Sequence, residues 1–191
     1  MLTKKDYYTM NKKTTLQKIS REIENCKACK TNKIGKAVPG EGGENAKVVF
    51  IGEAPGKKEA ESGRPFVGRS GKFLREAIKN IGLRETDFFI TSSVKYLPTY
   101  VTPTRKDIEH GATHLRKQLE IINPKVIVLL GCTACKSLLE EQSPIKECHG
   151  TFIKNCGKTY FVTYHPAAII RFPKYKKDFL EDFKKLKSLI S

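Results

Sequence analysis

Short continuous runs of apolar residues alternate along this chain with segments whose apolar residues recur every three to four positions. The runs predict buried strands at 47–52, 88–91 and 125–131, with weaker strands near 150–154 and 159–163. The recurring spacing predicts helices at 16–23, 70–81, 104–122, 133–140 and 174–189. Strands that are apolar on both faces and alternate with helices indicate a parallel sheet covered on both sides.

The chain is long enough for one α/β domain. Its 191 residues can bury a substantial core, and no second domain or internal repeat is evident. We predict a flexible tail over residues 1–13 and a folded domain over 14–191. No apolar run approaches the roughly 20 residues that cross a bilayer. No apolar segment typical of a secretory signal follows the N-terminal methionine, so we expect a cytoplasmic protein without membrane contact.

The charge balance changes this picture. Lys and Arg number 36 against 20 Asp and Glu, which gives a formal net charge of +16. Such an excess favours a polyanionic partner, and nucleic acid is the commonest. The alternative is a lysine-rich, solvated surface, because many of the lysines lie in the tails of the chain, among them Lys174, Lys176 and Lys177.

Two glycine-bounded loops follow the first predicted strand. In parallel sheets, sites lie at the carboxyl ends of strands. Gly52–Gly56 ends that strand, and its backbone N–H groups could hold an anion or a carbonyl oxygen, with Glu53 as a base or water-orienting group. Gly63–Gly68 carries Phe66, which could stack on a base. The alternatives are a tight turn with a solvated glutamate and a phenylalanine that anchors its loop.

A histidine follows the last predicted strand. His165 begins the segment His165–Ala168 and could donate a hydrogen bond to a developing oxyanion. The alternative is a structural histidine. The next residues, 169–172, set apolar side chains beside Arg171, a composition suited to filling the gap left by an extruded base.

The order and spacing of these segments resemble the family 4 uracil-DNA glycosylases, the iron–sulfur type of bacteria and archaea. The resemblance covers about residues 15–187, and its matching segments are Cys26–Cys29, Ala37–Gly42, Gly52–Gly56 with Glu59, Gly63–Gly71, Ile90–Lys95, Val126–Gly131 and His165–Ala168. It implies a three-layer α/β/α domain around a central, mostly parallel four-stranded sheet. It also implies a monomeric, monofunctional enzyme that flips uracil out of DNA and hydrolyses its N-glycosidic bond, starting base excision repair.

The resemblance also implies a role for each matching residue. Catalysis falls to Glu53, Glu59 and His165. Contact with the flipped base falls to Gly52, Ala54, Pro55, Gly56, Phe66 and Ser92. Contact with DNA falls to Arg64, Lys95, Ala167, Ala168, Ile169, Ile170 and Arg171, the last residues matching the loop that plugs the duplex.

The base reader departs from the family pattern. Ser92 stands in the segment where the family has asparagine, whose planar amide offers a fixed donor and acceptor. A hydroxyl is shorter and rotates to either polarity. We therefore predict looser or altered base selectivity, or weaker activity. The alternative function is a binding module for damaged or single-stranded DNA.

The metal ligands depart as well. Cys26 and Cys29 keep the family spacing, but Tyr96 and Gly111 stand near the positions of the other two cysteines. A [4Fe–4S] cluster needs about four thiolates. An intact cluster, another metal such as zinc, and no metal all remain open. A second Cys-x-x-Cys, Cys132 and Cys135, could bind metal or simply be buried.

Overall fold

The computed structural model describes residues 12–100, 102–139 and 144–190. Its helices are α1 (Lys12–Asn25), α2 (Lys27–Lys30), α3 (Lys57–Ser62), α4 (Arg69–Asn80), α5 (Arg105–Ile122), α6 (Cys132–Leu138), α7 (Ile145–Cys148), α8 (Pro166–Arg171) and α9 (Lys176–Ile190), with a 3-10 turn at Pro173–Tyr175. Its strands are β1 (Lys33–Ile34), β2 (Glu41–Gly42), β3 (Val48–Gly52), β4 (Phe88–Ser92), β5 (Leu97–Pro98), β6 (Val126–Leu130), β7 (Thr151–Asn155) and β8 (Lys158–Thr163). Within the described ranges, no helix has the length and hydropathy needed to cross a membrane.

The main sheet has six strands in the order β2-β4-β3-β6-β8-β7. Strands β4, β3, β6 and β8 are parallel, and β2 and β7 add one antiparallel strand at each edge. The predicted fold class is therefore confirmed, with its four parallel strands at the centre. At the edge hairpin, Cys156 and Gly157 both have positive φ, as a two-residue turn between strands requires.

Helices cover both faces of this sheet because its strands are apolar on both. Successive side chains of a strand point to opposite faces. Phe50 therefore faces α4, α8 and α9, whereas Val49 and Ile51 face α5 and α6. Each face forms its own buried cluster, and α1 packs on α5 at the outside of the second layer. The carboxyl ends of the four parallel strands lie at the same edge of the sheet, where such folds place their sites.

Three boundaries refine the predictions. Helix α1 begins at Lys12, so the last two residues of the predicted tail are helical, and residues 1–11 lie outside the described part of the chain. Helix α5 begins with the predicted capping box, in which Thr104 and Asp107 bond each other's backbone N–H. Residues 169–171, which the resemblance assigned to a plugging loop, continue helix α8 instead.

The ring of Phe50 packs at the centre of the first cluster. It is buried between Phe88 and Phe183, with ring centroids 6.1 Å from each. Phe50→Ala should lower the free energy of unfolding by about 3–5 kcal/mol, because it removes a large apolar side chain and leaves a cavity. Urea unfolding followed by far-ultraviolet circular dichroism measures the change. The exposed Leu189→Ala should change stability by less than about 0.5 kcal/mol, and equal losses would contradict this account.

Candidate active site

The carboxyl ends of β3 and β4 lie side by side. Gly52 and Ser92 are partners in the parallel register, and both are buried. Beyond the strands, the N–H of Ser93 bonds the carbonyl of Gly52 (2.9 Å), and the N–H of Val94 bonds that of Glu53 (3.0 Å). The two loops therefore leave the sheet with their first residues held together by backbone hydrogen bonds.

Gly52, Phe66 and His165 meet directly at this edge. A Cβ added to Gly52 would lie 2.5 Å from the ring of Phe66 and 3.4 Å from Nε2 of His165. The two rings are 5.9 Å apart between centroids and inclined by 36°. Only glycine leaves room for both rings over the end of β3. The structure thus brings together three of the predicted site residues from three separate segments.

The backbone of Phe66 adopts a left-handed conformation, with φ of 51°, which is rare for an aromatic residue. Arg75 holds it there by donating to the carbonyls of Phe66 (3.1 Å) and Pro65 (3.0 Å). Gly71 makes the close approach feasible, because a Cβ there would lie 2.0 Å from the carbonyl carbon of Phe66. Helix α4, which supplies Gly71 and Arg75, therefore fixes the direction of the Phe66 ring.

Glu41 links two arginines beside this loop. It accepts hydrogen bonds from Arg75 (2.5 Å) and from Arg64 (2.8 and 3.1 Å). Burial opposes its ionisation, but the two guanidinium groups hold the pKa of its carboxyl below the ordinary value. Arg64, a predicted DNA contact, is 64% exposed with its guanidinium engaged by Glu41. Sequence reasoning missed Glu41 and Arg75, since nothing in their spacing predicts that they meet.

The carboxylate of Glu59 ties the two glycine-bounded loops together. It is buried in α3, and its Oε1 accepts from the backbone N–H groups of Val67 (2.8 Å) and Gly68 (2.7 Å). Its Oε2 accepts from the N–H of Gly56 (3.1 Å). Because both oxygens are engaged by backbone donors, this geometry favours a positioning role for Glu59 over direct contact with a substrate.

Glu53 stands at the mouth of the site. It is half-buried, and its Oε2 accepts a hydrogen bond of 2.5 Å from the hydroxyl of Thr133, in the first turn of α6. Its other carboxylate oxygen is the one that can face a ligand. Of the adjoining predicted residues, Ala54 is half-buried, Pro55 is buried and Gly56 is exposed. Sequence reasoning missed Thr133, whose hydroxyl orients the glutamate.

His165 begins helix α8 and has a defined donor atom. Its Nδ1 accepts from the backbone N–H of Ala167 (3.2 Å), so a neutral ring carries its proton on Nε2, the atom that faces Gly52. Burial lowers its pKa from the ordinary 6.5 to about 4, which keeps the ring neutral at physiological pH. The site therefore contains a neutral N–H donor over the end of β3.

The structure contradicts the predicted DNA contact by Lys95. This side chain is only 1% exposed, and its ammonium donates to Thr91 (2.6 Å) and Gln118 (2.8 Å) inside the second layer. Burial lowers its pKa to about 7. A group with these partners cannot reach a phosphate, and its role is to link β4, its following loop and α5.

Helix α8 presents only part of the predicted DNA-contacting segment. Ile169 is 3% exposed and packs in the first core cluster, so the structure also contradicts its use as a wedge between bases. Ala167 is exposed, and Ala168 and Ile170 are half-buried. Arg171 is exposed at the end of the helix, 5.2 Å from the ring of Phe172, which is itself 46% exposed.

A separate group of donors lies where α2 meets α5. The four side chains contribute one ligand atom each, all within 4.8 Å of one another, and they are Cys26, Cys29, His110 and His114. Sγ of Cys26 is 3.1 Å from Nε2 of His110. The two histidines are four residues apart and therefore share one face of α5. The family pattern predicts a thiolate near Gly111, and sequence reasoning therefore missed the histidines around it. Their His-x-x-x-His spacing was the signal that could have predicted this donor group.

Burial shifts the pKa values of two of these donors, Cys29 and His114. It raises the pKa of the Cys29 thiol to about 12, with a hydrogen bond to Cys26 adding to the shift. It lowers the pKa of His114 to about 4, so this imidazole is neutral, the form that binds metals. No disulfide joins any of the six cysteines, and Cys132 and Cys135 lie outside the donor group.

This chain is similar to known proteins over most of its length. The type-4 uracil-DNA glycosylase of Pyrobaculum aerophilum is 39% identical over 87% of this chain and 90% of the relative. The enzymes of the same name from Sulfurisphaera tokodaii and Archaeoglobus fulgidus are 40% and 39% identical, each over 92% of this chain and over 84% and 93% of their own lengths. The model of the uracil DNA glycosylase superfamily matches residues 39–187. The chain therefore belongs to the uracil DNA glycosylase superfamily, and the predicted enzyme class, a DNA glycosylase, is confirmed.

Proposed function

We propose that this chain is a monofunctional glycosylase that flips uracil out of DNA and hydrolyses its N-glycosidic bond. The observation that carries the proposal is the convergence of Gly52, Phe66 and His165, with a neutral N–H donor over the end of β3. The names of the type-4 relatives support uracil as the base. The net charge of +16 supports a polymeric substrate over a free nucleotide.

The chemistry assigned to these residues is mainly electrostatic. The base stacks on Phe66 and lies over the backbone that follows Gly52. As the bond breaks, its electron pair goes to uracil, and Nε2–H of His165 stabilises the negative charge on a uracil carbonyl oxygen. The sugar becomes oxocarbenium-like, and the Glu53 carboxylate, oriented by Thr133, stabilises it and accepts a proton from the water that adds to C1′. The uracil anion is protonated when it leaves. Flipping costs a few kcal/mol, least at a mismatch.

Two further residues act by position. Glu59 holds the Gly52–Gly56 loop against the Phe66 loop through three backbone N–H groups. Arg75 donates hydrogen bonds to the carbonyls of Pro65 and Phe66 and so keeps the Phe66 ring in its stacking orientation. We propose both as positioning residues rather than residues that touch the base.

The end of α8 is the proposed contact with the duplex. Ala167, Arg171 and Phe172 are exposed there, beside the histidine that begins the helix. An exposed aromatic next to a cation can occupy the space of an extruded base while the cation approaches a phosphate. Ala168 and Ile170 are half-buried and contribute the apolar flank of the same surface.

A second candidate function is recognition of damaged or single-stranded DNA without excision. Ser92 is the observation that favours it, because this residue lies beside Gly52 in the register and lacks the amide that the family uses to read uracil. Both candidates use the same pocket and differ in whether the bond is cut.

Removal of the proposed catalytic groups tests the first candidate. Glu53→Gln and His165→Asn should each slow uracil excision by about 10²–10³-fold, the usual cost of losing one transition-state contact. A gel assay on a single-uracil oligonucleotide, followed by alkali, measures the rate. Glu61→Gln, on an exposed glutamate of α3, is the matched control and should keep the wild-type rate. Wild-type protein that retards this DNA without cutting it would support the second candidate.

The protonation of His165 gives a second prediction. Imidazole resonances followed by NMR should show this ring neutral at pH 6 and titrating near its shifted pKa of about 4. Below pH 6.5 the unfolded chain binds a proton that the native ring does not, so stability should fall as pH drops from about 6.5 to about 4. His165→Asn should make this dependence shallower. Titration of His165 near pH 6.5 would contradict its burial in the site.

Ser92→Asn tests the base reader. Restoring the planar amide should raise the ratio of uracil excision to hypoxanthine and xanthine excision, because the amide offers uracil a fixed donor and acceptor. Parallel single-turnover assays on three oligonucleotides measure this ratio. Ser70→Asn, which makes the same exchange at the start of α4, is the control and should leave the ratio unchanged. A wild-type protein that excises only uracil, or a ratio that Ser92→Asn leaves unchanged, would count against the prediction.

A further inference from the structure

We propose that Cys26, Cys29, His110 and His114 hold a single zinc ion, in place of the [4Fe–4S] cluster that the family resemblance implies. The group lies between the α1–α2 junction and the middle of α5, apart from the proposed base pocket. The proposal does not depend on uracil excision, and no catalytic step is assigned to the ion.

The donor types and their spacing suit zinc. Two cysteines separated by two residues, followed by two histidines separated by three, form a Cys2His2 set of the kind found in structural zinc sites. Two thiolates neutralise the charge of Zn²⁺, and the imidazoles add none. A complex without net charge suits this location, because Cys29 and His114 are both buried and burial of an uncompensated charge is costly.

The distances also suit one ion. Zinc bonds of about 2.3 Å to sulfur and 2.0–2.1 Å to nitrogen put the ligand atoms of a tetrahedron roughly 3.3–3.8 Å apart. All four donor atoms here lie within 4.8 Å of one another, so only small side-chain movements are needed. The ligands of a [4Fe–4S] cluster bind four different iron atoms at the corners of a cube and must stand farther apart. The donor group therefore fits an ion and does not fit the cluster.

Neither position that departs from the family pattern supplies a thiolate. The phenol of Tyr96 is buried beside Cys29 and donates toward the carbonyls of Ile23 (3.4 Å) and Glu24 (3.2 Å). A Cβ at Gly111 would lie 2.1 Å from the carbonyl oxygen of Ser93. Helix α5 therefore packs too closely there for any side chain, and the histidines on either side of Gly111 supply the ligands instead.

The imidazole of His114 gives independent support. Both of its ring nitrogens are buried and have no hydrogen-bond partner among the described residues. A buried polar atom without a partner is destabilising, because it has lost its hydrogen bonds to water, so such atoms are rare in native proteins. A bound ion would satisfy one nitrogen of His114 and account for its direction into the donor group.

Metal analysis tests this proposal. The full chain is purified anaerobically from cells supplied with both iron and zinc, and its zinc, iron and acid-labile sulfide are measured. We expect one zinc per chain, no sulfide and no visible iron–sulfur absorption. Iron in place of zinc, with or without sulfide, overturns the proposal, as does the absence of both metals.

Ligand variants give the second arm. Loss of one ligand in Cys29→Ser or His114→Ala should reduce the zinc retained after dialysis against a chelator by at least about tenfold. Cys132→Ser in the second Cys-x-x-Cys and His149→Gln are the matched controls and should retain zinc fully. Equal retention by ligand and control variants overturns the proposal.

Cobalt substitution keeps the test open if a ligand variant fails to fold. Wild-type protein stripped of metal and reloaded with Co²⁺ should show the intense visible bands of tetrahedral coordination and a thiolate-to-cobalt charge-transfer band. Weak bands typical of octahedral cobalt, without the thiolate band, would overturn the assignment.

Discussion

One buried carboxylate holds the two loops of the site in a fixed relation. Glu59 accepts hydrogen bonds from three backbone N–H groups, one in the loop that follows β3 and two in the loop that carries Phe66. Loop backbone carries donors that the sheet does not satisfy, and a single ionised side chain satisfies several of them at once. The distance between the backbone after Gly52 and the aromatic ring above it depends on this interaction.

The strained backbone of Phe66 depends on the same arrangement. An aromatic residue keeps a left-handed backbone conformation only where several surrounding contacts hold it there. Here the determinants are the guanidinium of Arg75 and the missing side chain of Gly71, both on α4. The conformation directs the ring toward Gly52 and His165, so the geometry of the pocket depends on contacts that helix α4 makes with the backbone of Phe66.

The sequence predicts those features whose cause is local. Strand β3 is readable because it is apolar on both faces, and His165 because it follows a strand. What could not be predicted rests on pairs that are distant in sequence. From the sequence, Lys95 is expected at the surface, and only the packing of α5 places Gln118 beside it. His114 is identified as a possible metal ligand only after α2 packs against its helix. The spacing of apolar residues along the chain does not predict contacts between residues that are distant in sequence.

The donor group joins the ends of a long stretch of chain. Residues 30–109 lie between its inner ligands and include the loops of Glu53, Phe66 and the end of β4, whereas His165 lies outside this stretch. Local opening of a protein proceeds in cooperative units. If the proposed ion links the two ends of this stretch, it restricts the separation of the loops of Glu53 and Phe66 from helix α5 during local opening, whereas the segment that carries His165 is not restrained in this way.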